Sequence, residues 1–172
     1  MNKKQVNAFL RVVYKGNDRP AITSVLIDKV QGRTCIVGTN GAMLALVFID
    51  GLDDYVGKQI SRIDLEAKAK SMTTRVSDAL DAMAVIDLVR VGRKVETNFP
   101  PYMDILTPYL VNKPVGQAQM KFNAEFFKTI QDIDGGASLI VDLYGEIKPM
   151  IFKSERGIYV VMPMTLKEPD SL

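Results

Sequence analysis

Few residue types in this chain could do chemistry, and the gaps are the first constraint. There is no histidine and a single cysteine, Cys35. Histidine is the usual general base near neutral pH and the usual partner of a serine or cysteine nucleophile, so those arrangements cannot be built here. Cys35 cannot close an internal disulfide, and its place in an apolar run suits a buried structural thiol. The carboxylates are scattered. Asp53-Asp54 has no partner base or metal-ligand spacing, and Gly135-Gly136 lacks the context of a phosphate loop. No catalytic residue, metal or cofactor is therefore expected. The reading is a protein that is not an enzyme and works by binding.

Two sets of side chains suit that work. The first is cationic. Lys4, Arg11 and Lys15 share one face of an amphipathic helix over 3–15, opposite the apolar stripe of Val6, Phe9, Leu10 and Val13. Lys68 and Lys70 lie on a second helix and Lys128 on a third. The first helix face lacks acids, whereas the second carries Glu66 and the third Glu125 and Asp132. With a net charge of only +2, attraction to a polyanion must come from charge gathered on one face. The second set is apolar. Met162-Pro163-Met164 closes the last strand-like run; methionine adapts to irregular surfaces, and a proline there marks a sheet edge.

Elements that would position these residues follow from pattern and punctuation. The first helix stops at Gly16-Asn17-Asp18, and three strands at 24–30, 34–39 and 43–50 are split by the turn signals Gln31-Gly32 and Asn40-Gly41. A strand at 59–63 leads into a helix capped by Asp64 and running to Met72. Residues 72–84 read either as a helix capped by Ser77 or as a long loop. Runs at 85–91 and 94–97, split by Gly92, read as a hairpin, and 99–108 as a proline-rich connector. The last third repeats the first. Asn123 caps a helix that buries Phe126, Phe127, Ile130 and Ile133 and ends at Gly135-Gly136; strands at 138–144, 148–153 and 158–164 follow, with Val141 in the core. The fold class is α+β, two helix-plus-antiparallel-strand halves near 3–50 and 120–165, related by an approximate two-fold. Its 172 residues suffice for one core, or one core and a half-domain. The longest apolar run, 43–49, is too short to span a bilayer, and Arg11 and Lys15 interrupt any leader, so a cytoplasmic protein without membrane contact is expected.

Four motifs, in order, carry a resemblance. Arg19-Pro20-Ala21-Ile22 with Gly38-Thr39-Asn40-Gly41-Ala42-Met43-Leu44-Ala45, then Phe99-Pro100-Pro101-Tyr102, then Phe122-Asn123-Ala124, then Tyr159-Val160-Val161-Met162-Pro163-Met164-Thr165-Leu166 resemble stretches of the bacterial DNA sliding clamp, the beta subunit of DNA polymerase III. The resemblance implies a DNA-clamp-like fold. Residues 1–112 correspond to the clamp's middle domain and 113–172 to the second half of its last domain; one elaborated domain is the competing description. It also implies a non-catalytic role in DNA replication or repair. The partners would be double-stranded DNA, held without sequence preference, and peptides of DNA polymerases and other clamp-binding proteins, with a homo-oligomer as one outcome. The implied peptide pocket is Ile22, Thr39, Gly41, Met43 and Leu44 with Val160, Met162, Pro163 and Met164. The implied DNA-facing residues are Lys4, Arg11, Lys15, Lys68, Lys70 and Lys128. Two departures weaken polar anchoring of a peptide: the family's His-Arg is Ala42-Met43 here, and its penultimate Arg is Thr165. A mimic that sequesters clamp partners without encircling DNA, or an unrelated accessory protein on a borrowed fold, are the alternatives.

Overall fold

The computed structural model describes residues 1–73, 78–115, 121–136 and 138–164. Helix α1 (Lys3–Val12) begins with a capping box: the Asn2 side chain accepts from the Gln5 N–H, and Gln5 accepts from the Asn2 N–H. At its other end the Arg62 guanidinium donates to the carbonyls of Leu10 and Val13. A short 3-10 turn (Pro20–Ile22) leads to strands β1 (Ser24–Val30), β2 (Arg33–Thr39) and β3 (Met43–Phe48). Strand β4 (Gln59–Ser61) and helix α2 (Arg62–Ser71) follow, then α3 (Ala82–Val91), α4 (Tyr102–Val111), α5 (Ala124–Asp134) and strands β5 (Ile140–Asp142), β6 (Met150–Lys153) and β7 (Gly157–Val161).

The seven strands of the described residues form one sheet in the order β4-β1-β2-β3-β7-β6-β5, and each of these pairings is antiparallel. About the β3–β7 seam, β3, β2 and β1 mirror β7, β6 and β5, with β4 added at one edge, and α1 packs along α5 over the seam. Strand alternation sorts the core into two layers. Met43, Ala45, Val47, Tyr159 and Val161 point to the side carrying α1, α2, α3 and α5. Leu44, Leu46, Ile158 and Val160 point to the other side, which α4 covers through Tyr102 and Leu106. Gly38 lets α1 lie close: a Cβ there would come within 2.9 Å of Val13 Cγ2.

Several expectations are corrected. Residues 85–91 are the body of α3, not a strand, because Asp81 caps the helix by accepting from the Ala84 N–H and Val85, Leu88 and Val89 then fall on one packed face. Residues 94–97 form no strand, so the hairpin is absent. The proline-rich connector holds α4: Pro101 sits at its N-cap, where a missing N–H costs nothing, and Pro108 lies on an exposed flank. Ser61, not Asp64, caps α2, its hydroxyl accepting from the Asp64 N–H. Ser77 lies outside the described residues. Phe127 is exposed, edge-on to Phe152. Val141 is 45% exposed, on β5, the last strand of the sheet among the described residues.

Candidate functional site

Where β2, β3 and β7 run out on the α4 side, a groove of about 330 Å³ opens. Its floor is the turn between β2 and β3. Thr39 Oγ1 accepts from the Gly41 N–H and donates to the Met43 carbonyl, while Asn40 Oδ1 accepts from the N–H groups of Ala42 and Met43. Gly41 takes φ 89°, a left-handed conformation that suits glycine. A side chain there would also meet the Arg19 guanidinium at 3.1 Å. The end of β7 is tied to this turn, since the Met162 N–H donates to the Ala42 carbonyl at 3.0 Å.

The fold brings seven of the nine pocket residues to this groove: Ile22, Thr39, Gly41, Met43 and Leu44 from the first half, Val160 and Met162 from β7 and its end. Pro163 and Met164 lie beyond the wall; the Met164 N–H donates to the Lys121 carbonyl and its side chain is exposed. The opposite wall was missed by the sequence reading. It is Pro100, Pro101, Tyr102, Asp104 and Ile105, the start of α4. The Phe99-Pro100-Pro101-Tyr102 run was the available signal. Tyr102 fixes that wall by donating to Asp28 Oδ2 on β1 at 2.7 Å. Burial, and then that carboxylate, push its phenol far above the usual tyrosine range. Among the described lining residues Asp104 is the one formal charge; the rest of the surface is mainly apolar.

The six cations divide into separate places. Lys4 and Arg11 on α1 and Lys128 on α5 surround Asp132 of α5, at 3.0, 2.8 and 3.5 Å. Arg11 also borders a depression between α1 and α2 with Lys15, Lys70, Arg62 and Glu66. Lys68 belongs elsewhere, to the cleft between α2 and α3 beside Asp87. The bias of the first helix toward positive charge is thus offset by an acid from a helix distant in sequence. Cys35 is buried on β2 with its thiol pushed up to about 12, chiefly by burial. Among the described residues no three His, Cys, Asp or Glu side chains gather as metal ligands would, and no helix is long and apolar enough to cross a membrane.

The fold is similar to that of solved DNA sliding clamps. The chain superposes on solved DNA polymerase III beta subunits. For that of Borrelia burgdorferi, determined with a natural product, the TM-score is 0.64 at 9% identity, over 96% of this chain and 61% of that one. The Pseudomonas aeruginosa sliding clamp gives 0.60 at 13%, over 95% and 64%. The Caulobacter crescentus beta subunit gives 0.59 at 14%, over 95% and 63%. At such identities the likeness is one of fold, and the chain spans less than two thirds of these clamps. No protein-family model matches the sequence, and no curated protein does.

Proposed function

We propose that this is a non-catalytic, clamp-like protein of DNA replication or repair whose groove takes a short apolar peptide from a polymerase or another clamp-binding protein. What supports the reading is the convergence of Ile22, Thr39, Gly41, Met43, Leu44, Val160 and Met162 from distant parts of the chain on one groove. Met162, 40% exposed at the rim, is the adaptable wall such a peptide would press against. With Ala42-Met43 in place of the family's His-Arg, affinity should be modest. The test is titration of a labelled clamp-binding peptide of a bacterial polymerase against wild type and Met162→Ala. Weak saturable binding, lowered by more than about 1 kcal/mol in the variant, is expected. Equal affinity in both, or no binding at high micromolar peptide, overturns the reading.

A second reading concerns duplex DNA. Lys4, Arg11, Lys15, Lys70 and Lys128 would meet phosphates without reading bases; Lys68, beside α3, contributes less. The continuous sheet favours one elaborated domain over a division at 112/113. Among the described residues the outer strands β4 and β5 each pair with one strand, which leaves edges where a second copy would add. A solution mass of one chain, with no retention on DNA, would favour the mimic that only presents the groove.

A further inference from the structure

We infer that Asp132 is a built-in counter-anion that competes with nucleic-acid phosphate for the cations of the α1–α5 face. The inference rests on the DNA reading above and sharpens it. Lys4, Arg11 and Lys128 come from two helices, yet all three aim at this single carboxylate, at 3.0, 2.8 and 3.5 Å. Their side chains are 77%, 47% and 64% exposed, whereas that of Asp132 is 11% exposed. The anion is recessed and the cations lie over it. An approaching phosphate therefore meets the cations first, at a place where one of three positive charges is already cancelled. Asp132 holds its proton less readily than an ordinary aspartate, because Lys4 and then Arg11 hydrogen-bond its charged form.

Exposed ion pairs contribute little to stability one by one, so holding two helices together accounts for only part of the cluster. Its effect on an incoming polyanion is larger. Each added positive contact releases about one more counterion and steepens the salt dependence accordingly. The arrangement would keep DNA contact weak and readily reversed, as a protein that must slide or let go requires.

The experiment measures binding of a labelled duplex by anisotropy, across ionic strength, for wild type, Asp132→Asn and Lys4→Gln, with thermal melting of each. Asp132→Asn should bind about threefold to tenfold more tightly near 50 mM salt, with a log–log salt slope steeper by about one. Lys4→Gln should bind more weakly. Equal or weaker binding by Asp132→Asn, while wild type binds and Lys4→Gln is impaired, overturns the inference and leaves the DNA reading standing. The same holds if Asp132→Asn lowers the melting temperature with affinity unchanged, which marks a structural staple. No binding by wild type or by Asp132→Asn removes the DNA reading itself, and the inference with it.

Discussion

The two halves repeat one order of elements but are built to different depths. Strands β1, β2 and β3 have 7, 7 and 6 residues, and β2 is buried along almost its whole length. Their counterparts β5, β6 and β7 have 3, 4 and 5, and β5 leaves Ile140 and Val141 exposed. The first half also carries α2 and α3 on its sheet, whereas α5 serves the second half. Repetition of topology therefore does not divide stability equally. The first half is the scaffold; the second supplies the seam strand and, through Met162, part of the groove's rim.

The sharpest break of this comparison is Ile27→Ala. Ile27 is fully buried on β1, and the substitution should cost about 2–5 kcal/mol in urea unfolding. A loss below about 1 kcal/mol would mean that the first half is not the scaffold. Tyr102→Phe comes next, because it leaves Asp28 Oδ2 without its donor and loosens α4 from the first half. About 1 kcal/mol of stability and a measurable drop in peptide affinity are expected. Unchanged affinity would separate α4 from the groove's function.

The acid limb of stability tests the link between the halves at Asp132. Its carboxyl is held below the ordinary value of 3.8 in the fold. The stabilisation is therefore present above about pH 4 and is lost as the pH falls through the lower, folded value. Melting curves of wild type and Asp132→Asn should differ near neutrality and converge in acid; a constant difference down to pH 2 would contradict this. The smallest effect is expected for Val141→Ala, within about 0.5 kcal/mol, because the side chain is half in solvent on the outer strand.

Much of the first half was legible because two independent signals agreed there. At 24–39 the alternation of apolar residues and the Gln31-Gly32 turn fixed β1 and β2 within a residue. At 85–91 the signals conflicted: Val85, Ile86, Val89 and Val91 favour a strand by residue type, but spacing and the Asp81 cap favour a helix, and packing on the core decided for the helix. Prolines misled at 99–108, since Pro100 and Pro101 begin a helix and do not prevent one. Seven of the lining residues follow from motifs quoted from the sequence, but the α4 wall does not, because Phe99-Pro100-Pro101-Tyr102 marks a helix start without saying which sheet face that helix covers. Asp132 was visible as an acid on the third helix, but its reach to Lys4 and Arg11 depends on α1–α5 packing and leaves no trace in spacing.

The pairing of Leu44 with Val160 at the seam has a kinetic consequence. Strands β1 to β3 can zip through two short turns, but β7 must be brought back from the far end of the chain, with the closure entropy of a long loop. The groove, whose walls include Val160 and Met162, is therefore among the last features to exist during folding. In a stopped-flow experiment the gain of peptide binding should lag the burial of β1–β3. During synthesis, a chain that has released β1–β3 but not yet β7 holds the first strands of the sheet without a formed groove.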